Sequence, residues 1–120
     1  MEARDVFPVR PYGPGTEGTW CAKGINEVIR FTKYEKNDFF KPHNDGGMVI
    51  NNDYRSIFTI LIYLNDNFVG GETQFYNPSQ NIIKPTTGLA LIFNHDILHE
   101  GIPVVNGTKF ILRTDVMFER

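Results

Sequence analysis

The stretch Ser56-Ile-Phe-Thr-Ile-Leu-Ile-Tyr-Leu64 decides the fold class of this chain. By periodicity alone, such an apolar run could be a buried helix. The isoleucines, Phe58, Thr59 and Tyr63 favour a buried strand instead, because β-branched and aromatic side chains fit a pleated surface. Asn65-Asp66-Asn67 then supplies turn residues that end the strand. We therefore predict a strand in which Thr59 and Tyr63 share one face.

On both sides of this strand, short β-branched or aromatic segments alternate with turn residues. Residues 27–34 and the segment that contains His43 are predicted to form a hairpin-like pair. The final segment, residues 109–118, follows the turn residues Asn106-Gly107. Roughly eight short strands, with no helical stretch longer than about two turns, predict an all-β barrel or jelly roll.

The start of the chain has a different texture. Residues 1–25 contain Pro8, Pro11 and Pro14 and several glycines, with no regular apolar pattern. They are predicted to form an irregular N-terminal arm. Residues 26–120 are predicted to form one domain, because a chain of 120 residues can bury a single core.

Composition excludes several classes of partner. The net charge is -2 and the basic residues are scattered, so a nucleic-acid surface is not indicated. Cys21 is the only cysteine, which favours a reducing compartment or an inert buried thiol. The polar opening of the chain has neither a signal core nor a spanning helix. We expect a soluble protein, cytoplasmic or otherwise intracellular, without a membrane partner.

A candidate metal site lies in the stretch Phe39-Phe-Lys-Pro-His43-Asn-Asp45-Gly-Gly47. On an extended segment, His43 and Asp45 point the same way because residues two apart share a face. His99 is the candidate for a third ligand. Two histidines and one carboxylate form the facial triad of non-haem iron(II) oxygenases. A His-x-Asp taken alone is a weak signal, since such pairs are common without a metal.

The last predicted strand carries two cations on one face. Lys109 and Arg113 are four residues apart, so they share a face with each other and not with Phe110 or Leu112. If that face lines the barrel, burying either cation unpaired costs several kcal/mol, and an anionic ligand would remove this penalty. By the same alternation, Tyr63 is expected to place its hydroxyl in the cavity.

From about Asn26 to Phe118 the chain resembles the iron(II)- and 2-oxoglutarate-dependent oxygenases, in particular the prolyl 4-hydroxylase-like branch. Each matching piece is weak alone, but together and in this order they are specific. The pieces are Tyr34 nine residues before His43, His43-Asn-Asp45-Gly46, Arg55-Ser56 with Thr59 and Tyr63-Leu-Asn65, Gly70-Gly-x-Thr73-x-Phe75, Lys84-Pro-x-x-Gly88, His99-Glu-Gly101-x-Pro103-Val104 and Gly107-x-Lys109.

The resemblance implies a fold and a set of site residues. The fold is a double-stranded β-helix, a cupin-like jelly roll, in which His43, Asp45 and His99 hold Fe(2+) and 2-oxoglutarate chelates the metal. Lys109, ten residues after His99, matches the family's basic residue for the far carboxylate of 2-oxoglutarate. Arg113 is the alternative, because a guanidinium binds a carboxylate through two parallel hydrogen bonds. Three further residues match positions around the cosubstrate: Tyr63, Tyr34 and Thr73.

The resemblance also implies an activity. The leading hypothesis is hydroxylation of a prolyl or other residue in a peptide or protein, using O2 and releasing succinate and CO2, with ascorbate as a candidate accessory. One alternative is a free amino acid or other small molecule as substrate; oxidative demethylation of nucleic acid ranks lower for lack of basic surface. A different class is a non-catalytic jelly-roll module in which the same residues are structural or hold zinc. Turnover of 2-oxoglutarate to succinate separates these.

The predicted outer face of the barrel is apolar. Members of the resembled family commonly cover it with helices that precede the barrel. Here we expect the N-terminal arm to fold over part of this face and self-association to cover the remainder, because a contiguous exposed apolar patch is adhesive. The arm residues expected to contribute are Val6, Phe7, Tyr12 and Trp20. The outer-face residues are Phe58, Ile60, Ile62, Leu64, Phe110, Leu112, Val116 and Phe118.

Overall fold

The computed structural model describes residue 11, residues 14–77 and residues 79–120. Within that part of the chain there is no helix, and so none long and apolar enough to cross a membrane. The strands of the described residues are β1 (Cys21–Ile25), β2 (Arg30–Tyr34), β3 (Phe40–His43), β4 (Val49–Asn51), β5 (Tyr54–Tyr63), β6 (Val69–Gly70), β7 (Thr73–Phe75), β8 (Asn81–Ile83), β9 (Ala90–Asn94), β10 (His99–Gly101), β11 (Val104–Asn106) and β12 (Lys109–Glu119).

Ten of these strands form two antiparallel sheets. The larger sheet has six strands, with β1, β12, β5 and β4 in order, β2 also paired with β12 and β9 with β5. The smaller sheet has four strands in the order β3, β10, β7, β8. The short strands β6 and β11 pair with each other beside these sheets. The all-β prediction is confirmed.

The main core lies between the two sheets. Leu61 and Tyr63 from β5 pack with Phe93 from β9 and Ile111 from β12, all on the inner face of the larger sheet. Phe75 from the smaller sheet meets Phe93 edge to face, with 4.9 Å between ring centroids. The alternation predicted for β5 therefore holds from Phe58 to Tyr63, where the odd-numbered residues are buried and the even-numbered ones are partly exposed.

The outer face of the larger sheet is partly covered by Trp20. Its ring is buried against Ile57 and Phe118, and its indole N–H donates to the carbonyl of Thr16 at 3.0 Å. Trp20 thus packs where the arm was expected to fold back, whereas Val6, Phe7 and Tyr12 lie outside the described residues. Farther along the face, Phe31 stacks on Phe110 but stays 61% exposed.

Three details of the predicted topology are wrong. The predicted irregular arm ends too late, because Cys21–Ile25 forms β1 by pairing with the end of β12. The predicted hairpin is absent from the described residues: β2 pairs with β12, and β3 pairs with β10 in the other sheet. Roughly eight strands were expected, and the additional ones are short segments of two to five residues that depend on their partners.

Candidate metal centre

The ligand atoms of His43, Asp45 and His99 lie within 4.8 Å of one another. His43 is the last residue of β3 and His99 the first of β10, and these two residues lie directly opposite each other across the pair of strands. Asp45 Oδ1 lies 3.3 Å from His43 Nε2 and 3.5 Å from His99 Nε2. Two ligands at right angles, each about 2.1 Å from an ion, are about 3.0 Å apart, so the spacing fits adjacent positions on a metal.

The two imidazoles are oriented by the backbone. His43 Nδ1 lies 2.6 Å from the carbonyl oxygen of Lys41, and His99 Nδ1 lies 2.9 Å from that of Ile97. Each Nδ1–H therefore donates to a carbonyl two residues earlier, which leaves the Nε2 lone pair directed at Asp45. This is the tautomer that a metal ligand needs. The three residues fit an Fe(II) ion.

The surroundings of His99 and Asp45 suit a metal site. Burial lowers the pKa of His99, which keeps its ring neutral. The Asp45 carboxylate is buried, accepts a hydrogen bond from the Thr59 hydroxyl at 2.6 Å and lies 3.4 Å from Arg113 Nη2. A neutral imidazole and an ionised carboxylate are the forms that bind a cation.

Lys109 lies in the same cavity with its charge poorly compensated. It is 3% exposed; its ammonium donates to the carbonyl of Gly71 at 3.0 Å and lies 4.4 Å from the centre of the Tyr34 ring. Burial lowers its pKa to about 8, and Glu72 offsets part of that effect. Among the described residues, no carboxylate makes an ion pair with it. An anionic ligand would stabilise this cation.

The backbone next to Lys109 requires glycine. Gly71 has a φ of +69°, and a Cβ there would lie 2.8 Å from the Phe68 ring and 3.1 Å from Lys109 Cδ. A side chain would therefore be strained and would crowd the lysine. The glycine pair before β7 is what lets a carbonyl reach Lys109.

Thr73 lines this cavity, whereas Tyr63, whose hydroxyl was expected in the cavity, is not among the lining residues and is paired with Thr73. The Tyr63 side chain is fully buried and its hydroxyl is hydrogen-bonded to that of Thr73. Burial raises the pKa of Tyr63, so the phenol stays protonated and can donate.

The structure brings together the site residues predicted from the sequence. The cavity is lined by Tyr34, His43, Asp45, Thr73, His99, Lys109 and Arg113, and Tyr63 is connected to it by its hydrogen bond to Thr73. The two candidate cations have different neighbours. Lys109 contacts Gly71 and Tyr34, whereas Arg113 contacts Asp45 of the metal centre.

One buried histidine was missed. His95 is 3% exposed and its ring contacts the hydroxyls of Ser56 and Thr59. His95 is one of three histidines in the sequence, but its neighbours Asn94 and Asp96 form no recognisable metal-binding or catalytic motif with it. Its partners Ser56 and Thr59 are three positions apart and are expected on opposite faces of a regular strand.

Comparisons with known proteins identify the family of this chain. The family model of the 2OG-Fe(II) oxygenase superfamily matches residues 29–114. A protein of Acanthamoeba polyphaga mimivirus, provisionally named a prolyl 4-hydroxylase, is 34% identical over 103 residues, which cover 71% of this chain and 42% of that protein. The Homo sapiens procollagen-lysine,2-oxoglutarate 5-dioxygenase 2 is 33% identical over 92 residues, covering 72% of this chain and 11% of that protein.

A solved structure shows the same fold. The prolyl-4-hydroxylase of Pseudomonas putida superposes with a TM-score of 0.59 at 20% identity, covering 77% of this chain and 51% of that one. The chain therefore spans about half of that structure and less than half of the two curated relatives. The predicted double-stranded β-helix is confirmed. With most of its length matched by the family model, the chain belongs to the 2OG-Fe(II) oxygenase superfamily, and proteins named prolyl 4-hydroxylases are among its relatives.

Proposed function

We propose that this chain is an Fe(II)- and 2-oxoglutarate-dependent dioxygenase that hydroxylates a C–H bond of a prolyl or other residue in a peptide or protein. One observation carries the proposal: the ligand atoms of His43, Asp45 and His99 converge in the cavity that also contains the buried cation Lys109. A site that binds only a metal would not need a buried lysine. A lysine buried for a structural reason would be paired with a carboxylate.

His43 Nε2, Asp45 Oδ1 and His99 Nε2 would hold the iron. Bound Fe(II) would couple the oxidative decarboxylation of 2-oxoglutarate by O2, which yields succinate and CO2, to the insertion of one oxygen atom into the substrate C–H bond. With three protein ligands, the site would leave room at the metal for the cosubstrate and O2.

The chain's own residues bind and enclose the cosubstrate. Lys109 would hold the far carboxylate of 2-oxoglutarate, with Tyr34 against the ammonium and Thr73, whose hydroxyl is paired with that of Tyr63, as one further donor. Arg113 contacts Asp45 and is therefore assigned to the metal centre, not to the far carboxylate.

Aromatic rings limit water around the metal centre. Phe93 meets the His99 ring edge to face at 4.7 Å, and Phe75 lies 5.8 Å from the same ring. An enclosed apolar wall strengthens the electrostatic interactions inside the cavity and limits side reactions with water.

A peptide substrate is supported by the mouth of the cavity. Phe40 is 42% exposed and its ring lies 3.8 Å from the ring of His43, centre to centre. An aromatic face beside the metal is a suitable platform for an aliphatic side chain such as that of proline. The relatives named prolyl 4-hydroxylase and procollagen-lysine dioxygenase have names that point to residues within proteins.

Three accessory features belong to the same proposal. Ascorbate would keep the iron reduced. An intracellular, reducing location is supported by Cys21, which is exposed and has no second cysteine to pair with. Self-association is supported by Phe31, Ile92 and Val28, each more than half exposed. Analytical ultracentrifugation tests the last feature: we expect Phe31→Lys to weaken association, and a strictly monomeric wild type would remove it from the proposal.

The function is tested by succinate formation. Purified protein is incubated with Fe(II), 2-oxoglutarate, ascorbate and a panel of proline- and lysine-containing peptides, with Asp45→Ala as the matched control. We expect wild-type protein to produce succinate and one peptide to gain the mass of one oxygen atom. Succinate formation stimulated by a free amino acid and by no peptide would favour the small-molecule alternative. Metal binding without any succinate would favour a non-catalytic module.

A further inference from the structure

His95 is joined to the metal centre by a chain of side-chain hydrogen bonds. It follows β9 and is not one of the three converging ligands. Its Nδ1 lies 2.9 Å from Thr59 Oγ1, and the Thr59 hydroxyl donates to Asp45 Oδ2 at 2.6 Å. On the other side of the ring, His95 Nε2 lies 2.8 Å from Ser56 Oγ.

The directions of these hydrogen bonds follow from counting protons. Thr59 has one hydroxyl hydrogen and gives it to Asp45, so its oxygen can only accept from His95. His95 Nδ1 must therefore carry a proton. Ser56 Oγ accepts the backbone N–H of Met48 at 2.8 Å, and its own hydrogen is free to donate to His95 Nε2. All the donors in this chain point towards Asp45.

A β-bulge makes the arrangement possible. Val116 of β12 pairs with Phe58 and Met117 pairs with Ser56, so Ile57 is an extra residue in β5. The bulge brings Ser56 and Thr59 to the same side, where both reach one imidazole. Backbone bonds fix the ring's position: His95 N–H donates to the Ile57 carbonyl at 2.9 Å, and Asp45 N–H donates to the His95 carbonyl at 3.0 Å.

The side chains of Ser56 and His95 are also packed closely against Gly47. A Cβ at Gly47 would lie 2.8 Å from Ser56 Oγ and 2.9 Å from His95 Cδ2. The residue two positions after Asp45 is therefore limited to glycine by the histidine ring. Glycine at this position leaves room for the imidazole in the orientation that contacts Thr59.

We propose that His95 is a positioning residue which, through Thr59, holds Asp45 Oδ2 away from the metal, so that Asp45 binds through Oδ1 alone. This inference rests on the proposed metal site. Oδ1 is the oxygen that faces both histidine ligands, at 3.3 Å and 3.5 Å, while Oδ2 accepts the Thr59 hydrogen bond. A carboxylate held in this way would bind the ion through one oxygen and would leave room for the cosubstrate or O2.

Calorimetric titration of the metal-free full chain with Co(II) tests the inference without any turnover. Thr59→Val should weaken Co(II) binding about 10- to 100-fold, as loss of a partner behind a metal ligand does. His95→Leu should weaken it by a smaller factor. The double variant should bind no more weakly than Thr59→Val, because His95 acts through Thr59. The matched control is Thr114→Val, which removes a hydroxyl bonded to the Asn26 carbonyl and should leave Co(II) affinity unchanged.

Several results would overturn the inference. His95→Leu with wild-type Co(II) affinity would do so, as would a double variant that loses the product of the two single factors. Thermal unfolding of each metal-free variant shows whether it is folded. If His95→Leu does not fold, His95→Asn and His95→Gln replace it: Asn places an amide donor near the Nδ1 position and Gln near Nε2, so Asn should retain tighter binding. Equal affinities of those two variants would contradict the proposal. A wild type that binds no Co(II) would instead refute the metal site itself.

Discussion

The metal end and the lysine end of the cavity differ in how well their polar groups are satisfied. At the metal end, His43 and His99 donate to backbone carbonyls, and Asp45 is bonded to Thr59 and close to Arg113. At the lysine end, a buried ammonium has one carbonyl acceptor and an aromatic face. The metal end is thus preorganised before any ion binds, whereas the lysine end contains a buried positive charge that a bound anion would stabilise.

The largest effect is expected at the metal end. His99→Ala removes an Nε2 that the fold has already aimed at the metal position, so Fe(II) affinity should fall by more than the roughly 10- to 100-fold that follows loss of an outer partner. Succinate formation should fall to background. Calorimetric titration with Co(II) measures the first effect. Retained affinity in His99→Ala would show that the three residues do not form one site.

The next effect is expected at the lysine end, with opposite signs for stability and binding. Lys109→Met should abolish measurable 2-oxoglutarate binding. It should also make the ligand-free protein more stable, because a poorly compensated buried cation is removed. The loss of the donor to the Gly71 carbonyl offsets part of this gain, so the net increase should be on the order of 1 to 2 kcal/mol. Denaturant unfolding with and without 2-oxoglutarate measures both. A variant less stable than wild type would show that Lys109 is already satisfied.

The difference in stability between the wild type and Lys109→Met depends on pH. The folded-state pKa of Lys109 is about 8 and the ordinary value is 10.5. Below pH 8 both folded and unfolded chains hold the proton, and the burial penalty is fully present. Between pH 8 and 10.5 the unfolded state binds more protons, so the stability of the wild type rises relative to Lys109→Met. Melting temperatures of the two proteins should therefore converge across this window; a constant difference would contradict the lowered pKa.

A smaller effect is expected for Arg113, which separates the two ends. Arg113→Ala should strengthen Co(II) binding a few-fold, about 1 kcal/mol for a partly exposed ion pair, because the guanidinium lies 3.4 Å from Asp45 Oδ1 and its charge opposes a cation bound there; 2-oxoglutarate affinity should stay nearly unchanged. Lys109→Ala serves as the matched control with the reverse pattern. If Arg113→Ala abolishes 2-oxoglutarate binding and Lys109→Ala does not, Arg113 is the anchor.

Much of the fold was predictable because its signals are local. The β-branched run of β5 and the alternation along β12 identify the central pair of strands and their inner face. The spacing of His43 and Asp45, with His99 before the last strand, identifies three residues that the structure brings together. Family resemblance then linked Lys109, Tyr63 and Thr73 to the same cavity.

What the sequence could not show depends on pairing between distant segments. Cys21–Ile25 has no apolar alternation and is a strand because β12 supplies its partner. The hairpin prediction failed because β2 and β3 pair with strands of different sheets. The turn residues between them do not indicate which strands they pair with. His95 was missed because the bulge at Ile57 changes which side chains of β5 share a face.

The central claim is that one cavity binds a metal and 2-oxoglutarate together. Calorimetric titration of 2-oxoglutarate into the anaerobic Fe(II)-loaded protein, beside the metal-free protein and Lys109→Met, tests it most directly. We predict one equivalent bound by the loaded wild type, with binding at least about tenfold weaker when either the metal or the lysine is removed, since each contributes a charge-assisted contact. Equal affinity in all three samples would contradict the claim.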